Sequence, residues 1–128
     1  MKNPKTTSVL VGLALVLVLA FGYSQRNTSI NTFINNTGQA VGGLHIQYNS
    51  TGYFFIYQNP PTFGNVQNDG TAINLSSGTV AAGGSFQITI SNPGGTHERV
   101  QKWWWTDDSG ILVGQKYNGC TSPDCTSP

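Results

Sequence analysis

Residues 85–91 (SFQITIS) alternate apolar and polar side chains without a break. A period of two is the pattern of a β-strand with one face buried. Phe86, Ile88 and Ile90 are expected inward, and Gln87 and Thr89 outward. The same period recurs along the chain. Residues 28–35 (TSINTFIN) put Ile30, Thr32 and Ile34 on one face, and residues 41–48 (VGGLHIQY) put Leu44, Ile46 and Tyr48 on one face with His45 and Gln47 on the other. Residues 53–58 (YFFIYQ) are apolar on both faces, and 71–76 (TAINLS) place Ile73 and Leu75 inward. Further strands are expected near 79–81, at 98–106 (ERVQKWWWT) and at 111–116 (ILVGQK).

Turn chemistry separates these runs: Asn36-Thr37-Gly38-Gln39, Pro60-Pro61, Gly83-Gly84, Asn92-Pro93-Gly94-Gly95 and Asp107-Asp108-Ser109-Gly110. No helical periodicity and no internal repeat competes. The expected fold is an all-β, antiparallel, immunoglobulin-like or related Greek-key sandwich of about seven or eight strands, with a small closed barrel as the alternative.

The beginning of the chain follows other rules. Lys2 and Lys5 precede Val9–Phe21, thirteen residues without charge. That length suits a secretory signal and falls short of the roughly 20 residues a bilayer span needs. Small residues permit cleavage before Tyr23 or Gln25. Residues 1–22 are therefore read as a cleaved signal peptide, 27–116 as the sandwich domain and 117–128 as a C-terminal tail. The expected location is secreted, extracellular or cell-surface. No cysteine follows the apolar run to take a lipid, and no apolar stretch precedes Pro128 to form a C-terminal anchor.

Without the leader, four basic residues remain against five acidic ones, a net charge of −1. No basic stripe is available to neutralise phosphates, so nucleic acid is not an expected partner. No polybasic patch suits an anionic membrane. Cys120 and Cys125 are the only cysteines; in an exported chain they are expected to form a local disulfide that ties down the tail. Asn-x-Ser/Thr sequons fall at Asn27, Asn35, Asn49 and Asn74.

Two stretches carry a resemblance. NNTGQAVGGLHIQYN (35–49), and GTVAAGGSFQITI (78–90) followed by WWWTDDSG (103–110), resemble extracellular β-sandwich domains of bacterial secreted proteins, some of which bear sorting-signal tails. The resemblance spans about residues 30–114. It implies an extracellular sandwich and no particular activity.

Function is sought first among the aromatics. Pleating sends Trp104 to one face and Trp103 and Trp105 to the other unless a bulge intervenes, and Tyr53 and Tyr57 alternate with Phe54 and Ile56 in the same way. Trp103, Trp105, Tyr53 and Tyr57 are the candidate binding residues, for a protein partner or for a glycan stacked on exposed rings; packing into the core is the competing reading. Acid–base catalysis has little to stand on. Asp107 and Asp108 belong to a turn, and Glu98 lies about 30 Å from Asp107 along an extended strand. His45 and His97 are weak metal candidates, with Asp69 or Glu98 as additional ligands, and their spacing does not require a metal. No cofactor is expected. The sequence thus points to a non-catalytic structural, adhesive or partner-binding module. The alternative is a carbohydrate-binding domain using the aromatic cluster. Self-association is also considered, including donation of segment 26–35 to a neighbour's sheet edge.

Overall fold

The computed structural model describes residues 28–49, 55–70, 72–92 and 97–127. The expected leader lies outside them, as does Tyr53. The described residues form nine strands: β1 (Thr28–Ile34), β2 (Gly43–Tyr48), β3 (Phe55–Asn59), β4 (Asn65–Asn68), β5 (Ala72–Ser76), β6 (Ser85–Ser91), β7 (Val100–Thr106), β8 (Leu112–Asn118) and β9 (Cys125–Thr126). They build two antiparallel sheets, ordered β3-β6-β1-β9 and β4-β5-β2-β7-β8. The chain changes sheet at β1–β2, β2–β3, β3–β4, β5–β6, β6–β7 and β8–β9. β1 neighbours β6 in one sheet and β2 neighbours β7 in the other, the connectivity of an immunoglobulin-type Greek key. Among the described residues the two sheets end at β3 and β9 and at β4 and β8, and do not close into a barrel.

The core is the set of period-two positions. Phe33, Phe86, Ile88 and Ile90 face in from the four-stranded sheet, and Leu44, Ile46, Tyr48, Ile73, Leu75, Val100, Trp103 and Trp105 from the five-stranded one. Phe63, on the β3–β4 connection, packs edge-on against Phe86 at 5.0 Å. The strand expected at 79–81 is a single bridge, Val41 to Val80.

β1 departs from simple amphipathicity. Its expected Ile30–Thr32–Ile34 face is the outer one, and Ser29, Asn31, Phe33 and Asn35 are buried. Register decides this: Phe33 stands opposite Phe86, and slipping β1 by one residue would turn its faces over. Ser29 and Asn35 are partnered in place. Ser29 Oγ donates to the Glu98 carbonyl at 2.6 Å. Asn35 Nδ2 reaches the carbonyls of Gln39 and Val80, while its Oδ1 accepts from the backbone and hydroxyl of Thr37. With β6 on one side and β9 on the other, residues 28–34 are an interior strand of their own sheet. They are not a free segment to donate to a neighbour.

The C-terminal stretch is also part of the sheet. β8 runs to Asn118, and Cys125 pairs with Phe33 as part of β9. The disulfide joins Cys120 to Cys125, and Cys125 is buried in the core. The bridge therefore fixes a fourth strand onto β1 as well as restraining the chain end.

Candidate functional site

Two bulges orient the tryptophans of β7. Opposite β2 the register shifts between Gln47 and Tyr48. Gln101 and Lys102 are then both exposed while Val100, Trp103 and Trp105 all face inward. Opposite β8 it shifts between Trp103 and Trp105, so Gly114, Gln115 and Lys116 together face Trp104. Gly114 has φ +79°, a conformation that favours glycine, and it lets the strand bulge there.

Trp103 and Trp105 are completely buried. Trp103 stacks on Tyr117 at 4.2 Å, meets Phe33 edge-on at 4.8 Å and donates its Nε1–H to the Gly119 carbonyl. Trp105 donates its Nε1–H across the sandwich to the Ile34 carbonyl at 3.2 Å. Both indoles have their polar edge satisfied inside the protein, so neither can form a binding surface. The expectation that they contact a partner or a glycan is corrected: they are core.

Trp104 is the outward indole. Pairing places Gln67 beside Asn74, Asn74 beside His45 and His45 beside Trp104. With Lys116 this makes one transverse row over all five strands of the outer face. His45 stacks on the indole at 4.1 Å with 17° between planes, and Lys116 Nζ lies 4.4 Å from its ring centre. These contacts come from β2 and β8, on opposite sides of β7. Both faces of Trp104 are therefore taken, and no open ring is left for a sugar to stack on. His45 Nδ1 lies 2.5 Å from Asn74 Oδ1. A carboxamide oxygen only accepts, so Nδ1 carries the hydrogen in this pair. The ring's Nε2 is shielded from solvent and has no partner.

The next row of the sheet is low. Its central position is Gly43, where a Cβ would run into Thr106 Oγ1 and the Leu75 carbonyl. A cleft of about 300 Å³ lies along these rows, with Gln67, Asn74, Ser76, Thr106, Trp104 and Asp108 in its walls. Asp108 reaches it from the β7–β8 turn, where its Oδ1 accepts the Ser77 N–H at 2.8 Å. Its neighbour Asp107 holds the turn itself by accepting the N–H groups of Ser109 and Ile111.

The histidines are not brought together. His45 stands beside Trp104, about 13 Å beyond the start of β7 at the usual strand rise, whereas His97 precedes that strand. His97 lines a second cavity, of about 270 Å³, with Asn31, Glu98, Arg99 and Cys120. Among the described residues no three His, Cys, Asp or Glu side chains cluster to hold a metal. Around that cavity the sandwich has a polar end. Glu98 is buried and its Oε1 accepts from Asn92 Nδ2 at 2.8 Å, and Asn31 Oδ1 has no partner. Sequence reading missed this end because strand alternation carries no sign of which polar residues turn inward.

Of the expected surface aromatics, Tyr57 is 62% exposed, and Phe55 on the same face is 49% exposed. Both lie on β3, an edge strand. Comparison with protein-family models and with curated proteins gives no match for this chain.

Proposed function

We propose that the chain is an exported, non-catalytic structural module that associates with a second copy of itself along the β3 edge. The uncharged, ring-bearing character of that edge carries this reading. Among the described residues β3 has a strand neighbour on one side only, β6. Its outward residues Phe55 and Tyr57 stand opposite Ser91 and Thr89, which in turn stand opposite Thr28 and Ile30 of β1. No outward residue of these three strands is charged. Natural edge strands are commonly blunted by charge or proline; the prolines of this one, Pro60 and Pro61, lie beyond its end. Antiparallel pairing of β3 with its own copy about a two-fold axis would continue the sheet across the axis and bring equivalent aromatic rings together. The net charge near zero opposes such pairing little.

Export is supported by the basic-then-apolar leader and by the disulfide, since disulfides persist in oxidising compartments. Light scattering on a size-exclusion column tests the assembly. A dimer is expected, and Tyr57→Lys, which sets like charges against each other across the axis, is expected to return it to monomer. A wild-type protein that stays monomeric at millimolar concentration would rule the reading out.

A further inference from the structure

We propose that the cleft on the five-stranded sheet binds a single neutral sugar ring, held by hydrogen bonds in place of aromatic stacking. The site lies on the opposite sheet from β3 and rests on different observations from the association above.

The cleft's unused hydrogen-bonding capacity defines its ligand. Asn74 Oδ1 is committed to His45, leaving both Nδ2 hydrogens of Asn74 to donate into the cleft. Gln67 adds an amide that both donates and accepts. Ser76 Oγ accepts from Asn65 at 3.2 Å and keeps its own hydrogen to give. Asp108 uses one carboxylate oxygen on Ser77, so the other can accept a charge-assisted bond. Donors and acceptors thus share one small space. Vicinal hydroxyls meet that arrangement, because each O–H donates once and still accepts.

Other ligand classes fit less well. A phosphate or carboxylate would face Asp108. A bare cation would face the Asn74 and Gln67 N–H groups. An apolar molecule would strip water from all these groups without replacing its hydrogen bonds. The size of the cleft, about 300 Å³, is at the lower end for small-molecule pockets and suits one ring more than an extended chain. Trp104 forms an end wall. Its faces are already occupied, so it shapes the cleft without serving as a platform.

The test is a ¹⁵N NMR titration of the secreted protein with the methyl glycosides of glucose, galactose, mannose and N-acetylglucosamine, each to tens of millimolar. At least one is expected to shift the side-chain amides of Asn74 and Gln67 and the Trp104 indole N–H saturably. The buried Trp103 and Trp105 indoles should stay in place. Asn74→Ala and Asp108→Ala are expected to weaken that binding at least tenfold without lowering the melting temperature appreciably. Tyr57→Lys should bind as wild type does. No saturable shift with any glycoside, shifts that persist unchanged in both cleft variants, or the same shifts produced by inorganic phosphate would overturn the proposal.

Discussion

Tyr48 closes β2 inside the polar end of the sandwich, and its phenol is almost wholly buried. Burial, and after it the negative charge of Glu98, pushes its hydroxyl above the ordinary tyrosine value of about 10. The buried phenol thus stays protonated at a pH where the unfolded chain gives up its proton. Its contribution to stability is full below about pH 10 and declines above it, by up to about 1.4 kcal/mol per pH unit. Urea midpoints measured between about pH 9 and pH 11 should fall faster for the wild type than for Tyr48→Phe; parallel declines would show that another group is responsible. At this scale the sequence was only partly legible. Alternation correctly separated His45 from Leu44 and Ile46, and Trp104 from Trp103 and Trp105. It did not say which side of the Trp run was core. Two bulges and the pairing of β7 with β2 and β8 decided that.

Among the elements, the strands with a strong apolar period were readable and the two without one were not. β4 (Asn65–Asn68) has one apolar residue, is exposed throughout and exists as the hairpin partner of β5. β9 is two residues long and is positioned by the disulfide and by pairing with β1. The bridge closes a short loop, so chain-entropy reasoning gives it about 2 kcal/mol. Reduction is expected to lower stability by about that amount. It should also release β9 before the rest of the molecule. The Ile34 amide, which donates to the Asp124 carbonyl at 2.9 Å, should then exchange its hydrogen faster, while the amides linking β1 to β6 stay protected. Equal loss of protection on both sides of β1 would mean that the bridge supports the whole sheet.

On the scale of the whole molecule, Trp105 joins the layers: it extends from β7 into the core and hydrogen-bonds the end of β1 in the opposite sheet. Trp105→Ala is expected to cost about 3–5 kcal/mol, a large share of what a domain this size possesses. Trp105→Phe should cost less, since it keeps most of the buried area and loses the bond to Ile34. Chemical denaturation of the two variants checks this, and a loss under about 1 kcal/mol for the alanine form would show that the indole is not a core anchor. The sequence alone determined that the chain makes short strands with one buried face, because side-chain period and turn residues are local properties. It also provided for the Cys120–Cys125 bridge by placing the two cysteines close together along the chain. Tertiary structure decided which face of β1 is buried, which indole points outward, and that Gln67, Asn74, His45 and Trp104 share one row around a cleft. Those outcomes depend on register between strands distant in sequence, and register is set by the packing of the two sheets as a unit.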